Sequence, residues 1–300
     1  MQARLTAFPP DSAALTQVIG TGDAVRIGRG ADCTLRIHHP SISRVHAELR
    51  IDDAGGRVRD LGSKNGSFMD GTAISDALLD GPCWLRFGDV FCEFLPLSAA
   101  DVTSVQVGTQ ARRAAATAHT ARIEGVLQLD DLLGATLRGV LDLAQCDRGF
   151  VLLDSPEGFR VRTSISLDPA ALGSRQFSGS VGAVDRALQS RRSVIANDIG
   201  QQAWLASRAS VAAAGLSALA CLPLLEADRA IGAVYADRTQ AGPPITALDL
   251  ELLEAFVERA ALWICARRAS DVLAMQPDTS APWSTLVEAS TGDMPILPAA

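Results

Sequence analysis

Short runs of β-forming residues, each closed by Gly, Asp, Asn or Pro, pattern the first third of the chain. The runs at 15–19, 24–27, 35–37, 45–51 and 90–95 are of this kind. Residues 45–51, Val-His-Ala-Glu-Leu-Arg-Ile, alternate with period two, as a strand with one buried face does. No helix-length periodic segment interrupts these runs. The pattern therefore predicts an antiparallel β-sandwich over residues 1–98.

The texture then changes. Ala, Thr, Gln and Arg dominate residues 99–120 with few large apolar positions, which predicts a linker turning helical near 112–122. From 121 to 268 the pattern reads as a mixed α/β domain. Apolar residues recur at helical spacing over 123–143. Residues 149–154 read as a buried strand and 159–163 as an alternating one. A helix holds 184–188 and stops before Ser193. Residues 219–225 and 230–237 pair as a hairpin turning at 226–229, and 249–268 form a long amphipathic helix. Beyond 269 the chain is rich in Pro, Thr, Ser and Asp with isolated Trp283, Leu286 and Val287. Such a stretch buries too little to fold alone and reads as a flexible tail with a short docking segment at 283–287.

The chain has 300 residues, enough for two ordinary domains, with 48% hydrophobic and 20% charged residues. Its formal charge of −7 argues against nonspecific nucleic-acid binding. One segment departs from that balance. Arg26, Arg29, Arg36, Arg44 and Arg50 face only Asp32 and Glu48 in the same stretch, an island suited to a small, local anion. The plainer reading makes some of these arginines a solvated strand face. Six cysteines, at 33, 83, 92, 146, 221 and 265, form no Cys-x-x-Cys pair, so neither a zinc knuckle nor a thioredoxin motif is supported, and no metal or cofactor is predicted. The N-terminal residues lack a secretory h-region. The longest apolar run, 211–225, is too short for a membrane span. The expected setting is the cytoplasm, with reduced thiols and no membrane contact.

Candidate chemistry sits in Gly28-Arg29, Ser43-Arg44-Val45-His46 and Asp60-Leu61-Gly62-Ser63-Lys64-Asn65-Gly66-Ser67. Taken singly these are ordinary turn residues, and Asn-Gly is a common hairpin signal. Together they supply a guanidinium fork, a hydroxyl and an amide between short strands, the groups needed to hold a phosphate on loops. Their order and spacing resemble the forkhead-associated (FHA) domain, a reader of phosphothreonine peptides, over residues 1–98. The resemblance implies that Arg29 and Ser43 contact the phosphate, that Arg44 adds a charge-assisted bond, and that Asn65 holds the peptide backbone. Lys64 stands where many relatives carry Thr or Ser, and still offers a point charge; Ser67 stands for the usual Thr. His46 matches a histidine that braces the serine loop rather than a catalytic or metal-binding one. Gly28 and Gly66 match backbone positions that the turn geometry requires.

Residues 121–268 resemble a GAF domain through Ile231-Gly232-Ala233-Val234-Tyr235-Ala236-Asp237-Arg238 and the helix that follows from Thr246. The fold implied is an all-β FHA sandwich followed by a mixed α/β GAF domain, an antiparallel sheet flanked by helices. No ligand constellation stands out there. Cys146 reads as a core thiol rather than an attachment site, and a cyclic nucleotide rests on family analogy alone. The apolar faces at 123–143 and 249–268 suit a homodimer. No catalytic nucleophile–base pair, ATP-binding lysine motif or helix-turn-helix is visible. The expectation is a cytoplasmic, bacterial-type, non-enzymatic adaptor. Its partner would be a phosphothreonine-containing protein, a Ser/Thr kinase or its substrate, with an unknown small molecule possible in the GAF half. The rivals are a transcription regulator and a small-molecule sensor acting through a separate output protein. Thr103, Thr109, Thr117, Thr279 and Thr291 are further expected to lie in flexible segments, open to phosphorylation and capture within the protein.

Overall fold

The computed structural model describes residues 1–10, 12–52, 55–167, 179–197 and 216–275. The N-terminal half is two facing sheets. One runs in the order β2 (Leu15–Ile19), β1 (Gln2–Phe8), β11 (Val90–Leu97), β10 (Cys83–Phe87), β7 (Ser67–Met69), β8 (Thr72–Ile74). The other runs β4 (Leu35–Arg36), β3 (Ala24–Gly28), β5 (Ala47–Asp52), β6 (Gly55–Asp60), β9 (Asp76–Leu79). Pairing is antiparallel except between β3 and β4. Leu5, Ile19, Ile27, Leu49, Val58, Leu85, Phe87 and Phe94 fill the space between the sheets.

Residues 2–8 carried no strand signal, yet β1 lies inside the larger sheet between β2 and β11. Its inward residues are Ala3, Leu5 and Ala7, and the two alanines are small and weakly β-forming, so register rather than propensity places them. At 45–51 the alternation is broken. Val45 points out and His46 in, and the regular strand starts only at Ala47.

The second half holds a five-stranded antiparallel sheet in the order β13 (Gly158–Ile165), β12 (Arg148–Ser155), β16 (Arg229–Arg238), β15 (Ala218–Glu226), β14 (Val194–Asn197). Helices α1 (Ala99–Glu124), α2 (Leu129–Ala144) and α4 (Ala247–Met275) pack together, with α2 and α4 on one face of this sheet; α3 (Val181–Ser190) packs on the other. The apolar stripe of α2 is used here. Leu132, Leu133, Leu137 and Val140 are fully buried against the sheet and α4.

Three expectations need correction. Residues 99–120 are not a linker with a late helix; α1 starts at Ala99. A capping box explains it: Ser98 accepts from the Asp101 backbone while the Asp101 carboxylate accepts from Ser98. The apolar stripe was faint because only Ala116, His119 and Ile123 of α1 are buried. Thr103, Thr109 and Thr117 accordingly sit in regular helix, each donating its hydroxyl to the carbonyl four residues back. The helical run expected over 123–143 breaks at Gly125, which ends α1. The last helix runs to Met275, seven residues into the supposed tail. Residues 283–287, Thr279 and Thr291 lie outside the described residues, as do positions 211–215 of the long apolar run.

The two halves are joined directly as well as through α1. The Ala14 N–H donates to Ile245 O at 2.9 Å and the Ala247 N–H donates to Ala14 O at 2.8 Å. Ala13 is buried in the core of the second half. Arg112 of α1 pairs with Asp249 of α4 at 3.1 Å. Among the described residues no helix is long and apolar enough to cross a membrane.

Candidate functional site

The loops leaving β3, entering β5 and joining β6 to β7 meet at one end of the sandwich. They enclose an open cleft of about 670 Å³ lined by Arg29, Ser43, Arg44, Lys64 and Asn65, together with Asp32, Ser41 and Val45. The structure thus brings together all five side chains singled out in the sequence.

Close backbone approach makes the cleft. Arg29 N–H donates to Ser43 O at 3.0 Å and Gly30 N–H donates to Arg44 O at 2.9 Å. A Cβ on Gly28 would fall 2.4 Å from the Arg44 carbonyl oxygen and 2.7 Å from the Cys33 sulfur, so only glycine lets these two loops touch. Gly66 has φ +74°, the left-handed region, and its carbonyl faces His46.

His46 is fully buried between the loops. Its Nδ1 accepts the Ser43 N–H at 3.1 Å, which leaves Nε2 to donate to Gly66 O at 3.1 Å. That pattern assigns a neutral imidazole. Burial holds its pKa below the usual value, against the opposing pull of the Gly66 carbonyl and the Asp60 charge. The unfolded chain binds a proton near pH 6.5 and the folded one resists it, so the contribution of His46 is complete above that pH and is lost as pH falls below it. Urea unfolding at pH 7.5 and 5.5 is expected to show lower stability at the acid pH, with a smaller drop in His46→Asn. An equal drop in both proteins would refute the assignment.

The Ser43 hydroxyl oxygen accepts the Lys64 N–H at 2.9 Å. Its own proton is thereby left to donate into the cleft. Asn65 donates from Nδ2 to Ser41 O at 2.8 Å, which fixes the amide plane. Arg29, Arg44 and Lys64 are exposed, and among the described residues none has a carboxylate within ion-pair distance. Arg29, Arg44 and Lys64 and the Ser43 hydroxyl thus face one cleft against the single carboxylate of Asp32, an arrangement whose chemistry suits an anion.

Two supporting residues received no role from the sequence. Asp60 accepts from Gly62 N, Ser63 N, Ser63 Oγ and Ser67 Oγ at 2.5–2.9 Å and so shapes the whole 60–67 loop. Burial pushes its carboxyl up, but these four donors outweigh that and hold it below the usual carboxylate range. The signal was present as Asp-x-x-Ser. Ser41 Oγ accepts the Asp89 N–H at 2.9 Å and lies 2.7 Å from His39 Nδ1, tying the Asn65 anchor to the loop before β11.

In the second half Phe150 and Tyr235 stack with ring centroids 5.0 Å apart. The Tyr235 hydroxyl donates to Asp237 at 2.6 Å, and Arg148 bonds the same carboxylate. Cys146 is buried and its thiol is pushed up to about 12 by burial, as is that of Cys221. Neither is a thiolate at neutral pH. Among the described residues no cluster of His, Cys, Asp and Glu is arranged to hold a metal ion.

The FHA domain of the CT664 protein from Chlamydia trachomatis is 22% identical over 33% of this chain and 100% of its own, with TM-score 0.31. The Rv1747 FHA-1 domain of Mycobacterium tuberculosis is 24% identical over 32% and 97%, with TM-score 0.28. An FHA domain from Arabidopsis thaliana is 23% identical over 33% and 87%, with TM-score 0.29. No curated protein matches the chain. The FHA domain family model matches residues 25–92, which lie within the sandwich and include every cleft side chain. The GAF domain family model matches residues 128–264, from the start of α2 into α4. The chain carries an FHA domain followed by a GAF domain.

Proposed function

We propose that this protein is a signalling adaptor whose FHA cleft docks phosphothreonine-containing segments of a Ser/Thr kinase or its substrates. The observation that carries the reading is the convergence of Arg29, Ser43, Arg44 and Lys64, with their donors unspent, on a single cleft. A phosphoryl group brings roughly −1.5 to −2 charges and three acceptor oxygens at neutral pH. Arg29 and Arg44 offer forked donors to it, Lys64 a point charge and Ser43 a hydroxyl. Asn65, its plane fixed on Ser41, supplies the amide for the peptide backbone. Full-length protein titrated calorimetrically with phosphothreonine peptides is expected to bind at micromolar dissociation constants, about −8 kcal/mol, and to ignore the unphosphorylated forms. Equal affinity for both forms across a diverse set would defeat the proposal.

The GAF half serves as the regulatory and pairing part, and one observation favours a homodimer. Because α2 spends its apolar face inside the domain, the surface for a second copy lies on the other two helices. On α1 the exposed positions Val107, Ala111, Ala114, Ala118 and Ala121 alternate in steps of four and three. On α4 Ala255, Leu262, Ala266, Ala269 and Leu273 keep the same phase. Leu262 and Leu273 are 60% and 68% exposed. This is the seam spacing by which helices pack on one another. Light scattering is expected to give twice the 31.5 kDa chain mass, and Leu262→Glu with Ala266→Glu to return a monomer. A wild-type monomer at high micromolar concentration would exclude the dimer.

A further inference from the structure

The basic stretch between Arg26 and Arg50 is divided by the fold. Arg29 and Arg44 enter the cleft. Arg26, Arg36 and Arg50 do not; they stand on the outer face of the smaller sheet. There the register aligns Arg26, Glu48, Arg59 and Asp76 across β3, β5, β6 and β9, and Ala24, Arg50, Arg57 and Leu78 in the next row. Arg36 on β4 pairs with Gly28 of β3, one row nearer the loops than Arg26. Five exposed arginines thus share a face with the carboxylates of Glu48, Asp52 and Asp76, in a chain of net charge −7.

The pairing within this face is incomplete. Glu48 holds Arg50 at 2.7 Å, and Asp76 holds Arg57 at 2.6 and 3.2 Å. Arg26 and Arg59 have no carboxylate within ion-pair distance among the described residues, although both pull on Glu48 from further off. Arg50 and Arg57 stand directly opposite each other in register, an arrangement of like charges that weakens a sheet. Each of the two is nevertheless held by its own carboxylate, so the charge that an acidic partner meets unpaired on this face is that of Arg26 and Arg59.

We infer that the outer face of β3, β5, β6 and β9 is a docking surface for an acidic segment of a protein partner. A partner protein fits this face better than nucleic acid does. Glu48 and Asp76, interleaved with the arginines, hold off a stiff duplex whose phosphates cannot be re-aimed, whereas a flexible acidic peptide can turn its carboxylates onto the arginines alone. The face also meets the cleft, since Arg36 Nε donates to Arg29 O at 3.3 Å. One row lies two residues, roughly 7 Å of strand, from the cleft loops. A partner held by its phosphothreonine has its flanking residues within reach of Arg36, Arg26 and Arg59.

The test uses full-length protein and a labelled polyglutamate peptide at low salt, read by fluorescence anisotropy. Arg26→Gln with Arg59→Gln is the first variant, because neither side chain makes an ion pair that folding would miss. Arg50→Gln with Arg57→Gln is the second. Arg113→Gln with Arg122→Gln on α1 removes the same charge elsewhere. The wild type is expected to bind the peptide, each face variant about fivefold or more weakly, and the α1 variant like the wild type, with binding falling as salt rises through the range where surface charges are screened. A phosphothreonine peptide with a glutamate run is expected to bind the wild type more tightly than the same peptide without it, and to lose that advantage in the face variants. If the phosphopeptides fail to bind while polyglutamate still discriminates the variants, the cleft reading falls and the face stands. If polyglutamate binds face and α1 variants alike, or if duplex DNA alone shows the discrimination, the inference is overturned.

Discussion

Replacing Arg29 with alanine in the full-length protein is expected to weaken phosphothreonine-peptide binding about ten- to a hundredfold, the equivalent of a lost charge-assisted hydrogen bond at roughly 1.5–3 kcal/mol. The size follows from position. Arg29 is anchored by its backbone to Ser43 O, with Arg36 Nε on its carbonyl, so its guanidinium leaves a fixed point. It has no carboxylate partner to desert before it meets the ligand. The exposed site tempers the effect, since water competes for every donor. Arg29→Lys keeps the charge and loses the fork, and is expected to recover only part of the affinity. Calorimetry with one phosphopeptide across wild type, Arg29→Ala and Arg29→Lys decides the matter. Wild-type affinity in Arg29→Ala would remove the phosphate from this cleft. Ser43→Ala serves as a second probe, because it also frees the Lys64 N–H that anchors the neighbouring loop.

The cleft was legible in the sequence because its parts are local and chemically distinctive. Gly28-Arg29, Ser43-x-x-His46 and Asn65-Gly66 each lie on one short loop, and residue type alone narrows what they do. What escaped was long-range. Asp60 was visible as a letter, but its four accepted hydrogen bonds exist only once the 60–67 loop closes. Strand β1 escaped because Ala3 and Ala7 carry little propensity and owe their burial to neighbours some ninety residues away in sequence. Helix α1 resembles a linker in sequence because an apolar stripe is the main helical signal, and a helix burying three residues shows almost none. Its capping box at Ser98 and Asp101 was the better evidence. The division of the basic stretch was likewise hidden, since alternation on β3 and β5 decides which arginines face outward only after the loops take Arg29 and Arg44.

The same contrast marks the end of β16, where an apolar run closes on two charges that the sequence could show but not explain. Asp237 is completely buried. It accepts from Arg148 and from the Tyr235 hydroxyl, while Arg238 donates to Ser217 Oγ and to Gln145 O at 3.2 and 3.0 Å. Each buried charge is there because the fold has built partners around it. Asp237→Ala removes the carboxylate and leaves the Arg148 guanidinium, 18% exposed, with its buried counter-charge gone. Such a loss costs about 3–5 kcal/mol, much of a domain's stability. Asp237→Asn keeps an acceptor without the charge and is expected to cost less. Asp237→Leu combined with Arg148→Met removes both charges and is expected to recover part of the loss, since the Tyr235 hydroxyl still lacks the acceptor that Asp237 gave it. Urea unfolding of the full-length protein, followed by tryptophan fluorescence with Trp263 on α4 reporting the GAF half, measures all three. An Asp237→Ala protein within about 1 kcal/mol of wild type would show that Arg148 finds another partner or water, and that the buried pair does not hold β16 against β12.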